Sequence, residues 1–494
     1  MKEQLVGREH ERRILQRLYD SSSPEFLALY GRRRVGKTFL IRETCENSEI
    51  RDNLGLLFEL TGQKDGSRKE QLGNFADVFG RHFLSGHRSA PPDSWRDALA
   101  MLAGEIDRRK PRGKVVFFFD ELPWLAARRS GFLQALDYFW NHWASRRANV
   151  LLIVCGSAAS WMIDKILNAK GGLHNRVTER IRLLPFSLGE TERYLQSRRI
   201  HLERKQIMEL YMAVGGIPHY LRQVRRGQSA AQNIDRICFS KDGFLVDEFG
   251  RLFASLFEFE KNYIRVIEAL ARKRGGLARN ELLASSRLRS GGRATQTLKA
   301  LEESGFIAGD VPFGKKSNEP LYRLADEYSL FYLTWINAAP GSVIRSAPGG
   351  YWLQQRNGRK WSAWSGYAFE RLCQKHVGQL LRGLGIHGIS TIVSGWYHRP
   401  REDGDRGAQI DLLIDRSDQC INLCEMKFSD AQFVIGKAYA DELRAKREVF
   451  KNKTRTRKTL FITMVTPHGV KDNAYRQALV DQQLTMDILF GGPG

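Results

Sequence analysis

Cysteine is scarce in this chain: six thiols among 494 residues, at positions 45, 155, 238, 373, 420 and 424, with no C-x-x-C pair. That excludes a disulfide-stapled framework and a zinc ribbon. Cys420 and Cys424 lack a second ligand pair and read as reduced core residues. Long apolar runs are also missing. The longest, such as Val115 to Phe119 and Leu151 to Cys155, are strand length, well short of the ~20 residues a membrane helix needs. The opening MKEQLVGREHER has no apolar signal-peptide core, so a cytoplasmic protein with no membrane span is expected. Acidic residues are in deficit, 55 Asp and Glu against 78 Lys and Arg, a net charge of +23. A surface this basic implies a polyanionic partner. Nucleic acid ranks ahead of anionic membrane because no amphipathic anchor or lipidation signal stands out.

The length suits about three domains with several packed cores. The first is organised around residues 26–38, FLALYGRRRVGKT. A short apolar run, Phe26 to Tyr30, predicts a buried strand; it breaks at Gly31, and an amphipathic helix starts at Lys37. Gly31, Gly36, Lys37 and Thr38 fill the fixed positions of G-x-x-x-x-G-K-[ST] in the strand–loop–helix context that this phosphate-binding motif requires. Glycines let successive backbone N–H groups turn toward phosphate oxygens, and the helix presents its positive end to the same anion. The whole loop, Gly31, Arg32, Arg33, Arg34, Val35, Gly36, Lys37, Thr38 and on to Phe39, is therefore expected to hold ATP. Lys37 supplies a charge to the β- and γ-phosphates and Thr38 a hydroxyl to Mg²⁺.

Five apolar residues ending in Asp120-Glu121 predict a central parallel strand, buried on both faces, with its acids at the C-terminal edge where α/β sheets bind ligands. Asp120 is the candidate Mg²⁺ ligand and Glu121 the residue that polarises the attacking water. A further strand, Val150 to Cys155, stops at Gly156-Ser157, where the serine can contact the γ-phosphate or the lytic water. Downstream, Arg176 and Arg180 are candidates to supply transition-state charge, from the same chain or from a neighbouring copy in a homo-oligomer.

The VGRE start, the GRRRVGKT loop, the FFFDE strand, the CGS strand end and Gly215-Gly216-Ile217-Pro218 together resemble the archaeal-type P-loop ATPases of the AAA+/STAND group, over about residues 3 to 330. The resemblance implies that Arg8 lies near the adenine, that Asp120 and Glu121 serve Mg²⁺ and hydrolysis, and that Pro218 on a helical lid contacts the nucleotide. It matches the family's strand-end serine and downstream arginine to Ser157 and Arg176.

From Asn262 the pattern changes to small helices with basic turns. Tyr263 to Arg272, Arg279 to Ser285 and Gly292 to Ser304 are predicted helices, and a hairpin enters at Gly305-Phe306-Ile307 and returns at Leu321 to Leu324. Three helices and a two-stranded wing make a winged helix-turn-helix. Its third helix would turn Arg293, Thr295, Gln296 and Lys299 toward a DNA major groove, with Leu298 and Leu301 inward and Lys315 and Lys316 at a phosphate-contacting wing tip. Packing against the ATPase as a lid is the alternative use of such a module.

The last domain opens at Trp361 with a helix carrying Tyr367, Phe369, Glu370 and Leu372. Strands follow at Ile410 to Ile414 and Ile421 to Phe428, joined by a polar turn. Glu425 and Lys427 share a face because strand side chains alternate with period two, and pairing brings Asp411 to them. Asp411 and Glu425 are candidate Mg²⁺ ligands, Lys427 orients the nucleophile, and Glu370 is a fourth member. The set resembles the PD-(D/E)xK nuclease core, with Ile410 where the motif has proline. A helix over Ala431 to Phe450 runs into Arg444, Lys446, Arg447, Lys451, Lys453, Arg455, Arg457 and Lys458, a basic run suited to a DNA backbone.

The expected architecture is α/β throughout: a parallel-sheet P-loop core over 1–186, a helical lid over 187–260, a winged helix over 261–328, a connecting segment over 329–360 and a restriction-endonuclease-like domain over 361–494. The expected function is ATP hydrolysis coupled to DNA binding and Mg²⁺-dependent cleavage. A non-cleaving STAND-type switch or DNA-binding regulator is the alternative. RNA stays open as the polyanion, although no RRM-type aromatic motif is visible.

Overall fold

Apolar runs with no alternation become strands covered on both faces. In the computed structural model these are β1 (Glu25–Tyr30), β2 (Leu54–Thr61), β3 (Lys114–Asp120), β4 (Val150–Gly156) and β5 (Glu179–Arg182). The structure describes residues 5–46, 50, 52–87, 89–168, 172–257, 260–273, 275–315, 319–341, 350–356, 358–400 and 405–491. It falls into two units, 1–184 and 185–494. Among the described residues, no helix is long and apolar enough to cross a membrane.

In the first unit the strand order is β2-β3-β4-β1-β5, with every pair parallel. β3 and β4 are buried at all seven positions, as expected for central parallel strands rich in Val, Ile, Leu and Phe. The helices Arg68–Phe83, Trp95–Arg109 and Phe132–His142 cover one face with Phe75, Trp95 and Phe132, which pack with Phe58 and Phe117 in one core. Ser67 and Glu70 form a reciprocal capping box that starts the first of these helices. Because Tyr30 of β1 lies opposite Gly156 of β4, with β3 on the far side of β4, the loops after β1, β3 and β4 open along one edge.

The second unit begins with the helices Leu188–Ser197, Arg204–Val214, Ala230–Phe239 and Glu248–Leu256. Of the stretch expected as a connecting segment, 329–360, described residues within 329–341 and 350–356 contribute to the unit's core instead. Trp335 and Trp352 are each 1% exposed, with ring centroids 5.1 Å apart, and Trp352 stacks on Phe239 at 5.7 Å. Asp235 accepts the backbone N–H groups of Gly350 and Trp352, each at 2.7 Å, and Arg356 grips buried Glu209 at 2.8 Å. Gly, Pro and Ser give the stretch a linker's composition, but its tryptophans bury too much apolar surface to stay in solvent.

The helices Glu260–Arg272, Arg279–Ser285 and Gly292–Glu303 follow, with a three-stranded antiparallel sheet in place of the two-stranded wing. Its strands are β6 (Leu277–Ala278), β7 (Ile307–Asp310) and β8 (Leu321–Leu324), in the order β6-β8-β7. Arg293, Thr295 and Gln296 are exposed and Lys299 half-buried, while Leu298 and Leu301 are buried. The hairpin loop departs from expectation. Phe313 donates its backbone N–H to Gly395 O at 2.8 Å and packs its ring 5.5 Å from Phe450, so the loop is docked on the next sheet. Lys315 is exposed; Lys316 lies outside the described residues.

That sheet has the order β13-β12-β11-β10-β9 and comprises β9 (Thr391–His398), β10 (Ala408–Arg416), β11 (Cys420–Met426), β12 (Thr459–Val465) and β13 (Gln482–Leu484). β9, β10 and β11 pair antiparallel, and β11, β12 and β13 parallel. The expected helix over Ala431 to Phe450 starts later, at Lys437, and runs to Thr454; Phe433 instead forms a bridge with Val470.

Candidate functional site

The loop after β1 keeps its shape through backbone conformations that few side chains tolerate. Gly31 has φ +154°, and a Cβ there would lie 2.3 Å from Leu183 O; Gly36 has φ +95°. Arg34 also holds a positive φ of 72°. Lys37 is the first residue of the helix Lys37–Glu46 and is 6% exposed. Its Nζ donates to Gly31 O at 2.9 Å, Arg32 O at 3.1 Å and Ser157 Oγ at 2.9 Å. Ser157 Oγ in turn donates to Glu121 Oε1 at 2.6 Å, and its backbone N–H reaches Glu121 Oε2 at 3.3 Å. One series of polar interactions thus joins the loops after β1, β3 and β4. Thr38 donates to Asp120 Oδ2 at 2.6 Å, while Asp120 Oδ1 accepts the Glu121 N–H at 2.9 Å. A hydroxyl beside a buried carboxylate is the hard-oxygen pair that suits Mg²⁺, whose other ligands come from phosphates and water.

Arg8 is 4% exposed, and its guanidinium donates to Val35 O at 3.2 Å, which ties the segment before the first helix to the loop. Arg33 lies 5.9 Å from the Trp124 ring centre, and Phe39 follows in the helix. Arg176 is exposed just after the turn Gly172–Asn175. Pro218 opens the short helix Pro218–Leu221 of the second unit.

In the second unit, pairing of Leu412 with Cys424 brings Asp411 beside Glu425. Glu370 stands on the helix Arg359–Lys375. Burial, then the negative charge of Asp411, push its carboxyl up to about 7; Arg371 and Lys427 oppose that shift and Glu425 adds to it. The four residues expected together therefore share one electrostatic neighbourhood. Their partners differ from expectation. Lys446 Nζ meets both Glu425 oxygens, at 2.9 and 3.0 Å, and Tyr439 donates to Oε2 at 3.2 Å. Lys427 Nζ lies 5.0 Å from the Tyr439 ring centre, and Gln409 donates to Asp411 Oδ1 at 2.6 Å. Among the described residues, no group of three or more His, Cys, Asp or Glu is spaced to hold a metal ion. With Lys446 on Glu425, the Asp411–Glu425 pair as placed does not fit Mg²⁺.

Residues 5–224 match the family model of an ATPase domain predominantly from Archaea. The chain carries an archaeal-type P-loop ATPase domain. An uncharacterized protein of Methanocaldococcus jannaschii is 23% identical over 438 residues, 86% of this chain and 88% of its own length. An uncharacterized ATP-binding protein of the same organism is 44% identical over 46 residues, 9% of this chain and 78% of its own. Among solved structures, the Walker-type ATPase of Pyrococcus abyssi is similar at 19% identity, with 67% of this chain and 96% of that chain covered and a TM-score of 0.47. The ORC2 protein of Aeropyrum pernix is similar at 14% identity, with 68% and 94% covered and a TM-score of 0.42.

Beyond the ATPase domain, the residues missed by sequence reasoning are Tyr439, Lys446, Arg371 and Arg323. A signal existed for two of them. In the helix Lys437–Thr454, Tyr439 and Lys446 follow the spacing of Leu443 and Phe450, so they share its inward face. Read as one basic run, Lys446 passed for a DNA-binding residue. Others of that run are also engaged: Lys453 with Asp405, Lys458 with Asp415 and Arg444 with Asp441.

Proposed function

We propose that this protein is an ATP-hydrolysing switch whose second unit binds DNA. The observation that carries the reading is the helix Gly292–Glu303, which exposes Arg293, Thr295 and Gln296 from a three-helix, three-stranded module and supports a winged-helix assignment. Bases are read from such a helix, while lysines and arginines elsewhere on a chain of net charge +23 neutralise phosphates. Arg176, from this chain or a neighbouring copy, completes the ATP site in this reading. Labelled duplex DNA titrated at several salt concentrations tests it. Arg293→Ala combined with Gln296→Ala is expected to weaken binding about tenfold, on the scale of removing one or two hydrogen bonds to bases. An unchanged affinity would remove the helix from the interface, and preference for RNA of equal length would replace DNA as the partner.

Cleavage is the second reading, favoured by the convergence of Glu370, Asp411, Glu425 and Lys427 on a mixed sheet that supports a PD-(D/E)xK-like assignment. It ranks second because Lys446 occupies Glu425. Plasmid DNA incubated with Mg²⁺ or Mn²⁺, with and without ATP, decides between the two. Cutting that disappears in Lys427→Ala while binding persists establishes the nuclease, and an intact plasmid under every condition leaves the switch.

A further inference from the structure

Between the small antiparallel sheet and the C-terminal sheet lies a cavity of about 660 Å³, lined by residues of both, including Lys273, Arg323, Trp396, Arg399, Arg406 and Asp411. Arg323, on β8, is 6% exposed, and among the described residues its Nε has no hydrogen-bond partner. Its side chain threads between two glycine backbones, one from each sheet region. A Cβ at Gly276 would lie 2.8 Å from its Cγ, and a Cβ at Gly395 3.3 Å from its terminal nitrogen. Burial, then the like charge of Arg371, depress its basicity, and Asp310 and Asp411 act in the other direction. Among the described residues neither acid forms an ion pair with it. Arg371 repeats the pattern, with a buried Nε that lacks a hydrogen-bond partner among the described residues.

A buried guanidinium that forms no ion pair among the described residues, beside a second one, is a costly arrangement unless an anion completes it. The planar fork of arginine matches a phosphate through two parallel hydrogen bonds. The docking of Phe313 on the C-terminal sheet fixes the two walls, so the cavity is preformed. We propose that this cavity seats a backbone phosphate of a nucleic acid strand, held by Arg323 with Arg371 behind it, and that the small helical module thereby contributes a binding residue to the acidic centre at Asp411. The inference rests on the nucleic-acid reading of the second unit and adds to it a place and an anchoring residue. A strand is preferred to a lone nucleotide because Lys273, Arg399, Arg406 and Lys446 join Arg323 in the lining and outnumber its acids, Glu281, Asp411 and Glu442.

Fluorescence anisotropy of the full-length protein with a labelled single strand and the matching duplex, in EDTA and without ATP, tests the seat. Arg323→Met keeps the stem and removes the charge. Affinity is expected to fall about tenfold, and the slope of log affinity against log salt to shrink by about one, as it does when a protein neutralises one phosphate fewer. The thermal midpoint is expected to hold or rise, since the variant removes an unpartnered buried cation; a merely structural arginine would lower it. Arg323→Lys is expected to restore the slope, and Arg371→Met carries the same test should Arg323→Met fail to fold. Unchanged affinity and slope in both methionine variants, with a parent that binds, would overturn the seat and leave the nucleic-acid reading intact. A parent that binds no strand sinks both. Displacement of the strand by millimolar free mononucleotide, reduced in Arg323→Met, would overturn the strand in favour of a nucleotide pocket.

Discussion

Glu121→Gln is expected to lower steady-state ATP turnover by roughly 10²- to 10³-fold while nucleotide affinity stays within about twofold, the size expected for losing a positioned general base. Glutamine has the same shape and can still accept from the Ser157 hydroxyl, which holds the present carboxylate at 2.6 Å. What it cannot do is take a proton from water or polarise it as an anion. The contrast with Lys37→Ala makes the test specific. Lys37 spans Gly31, Arg32 and Ser157, so its loss relaxes the loop as well as removing charge from the phosphates, and binding is expected to fall along with turnover. Titration with a fluorescent ATP analogue, alongside phosphate release under saturating ATP, separates the two variants. Turnover of Glu121→Gln within tenfold of the parent would assign water activation to another group.

Hydrogen bonds run from Lys37 through Ser157 to Glu121. The lysine's charge and the glutamate's charge meet across one hydroxyl, and a γ-phosphate competing for Lys37 would release Ser157 toward it. On the proposed roles, the serine would be the point at which nucleotide arrival reaches Glu121. Ser157→Ala is expected to slow turnover less than Glu121→Gln, because it removes the link and keeps the base.

Much of this was written in local sequence. β3 and β4 read as buried parallel strands because every position between Val115 and Phe119, and between Val150 and Cys155, is apolar, and no half-solvated strand has that pattern. The phosphate loop is fixed by spacing alone. What escaped depends on packing between residues far apart in the chain. Trp352 looks like part of a linker until Phe239, more than a hundred residues earlier, is placed against it. Phe313 looks like a wing residue until Phe450 covers it. In the acidic centre, period-two alternation placed Glu425 and Lys427 on one face and strand pairing brought Asp411 to them. The helical spacing of Lys446 with Leu443 and Phe450 points it inward, but no local pattern says that it meets Glu425, twenty-one residues earlier, through both carboxylate oxygens.

The other large effect is a loss of stability in mild acid, carried by His376. This residue ends the helix Arg359–Lys375 and is 2% exposed. Its Nδ1–H donates to Leu372 O at 2.9 Å, which leaves Nε2 to accept the backbone N–H of Leu188 at 3.1 Å. That N–H is one of the donors that the first turn of a helix cannot satisfy internally, so a neutral imidazole caps the helix Leu188–Ser197. Protonation would set N–H against N–H in a buried site. Burial accordingly depresses the ring's pKa from 6.5 to about 4, with nearby Lys375 in the same sense and the Leu372 bond and Glu190 opposing. Since the folded value lies below the unfolded one, the stabilisation is complete above pH 6.5 and is lost as pH falls toward 4. Between pH 7 and pH 4.5 the linkage amounts to about 2.5 kcal/mol. His376→Gln offers an acceptor that does not titrate. Urea unfolding of both proteins at the two pH values is expected to show the parent losing about 2–3 kcal/mol more than the variant, a difference that cancels the carboxylates common to both. Equal losses would mean that the imidazole takes up its proton as readily in the folded protein as in the unfolded chain, and the cap on Leu188 would have to be made by another group.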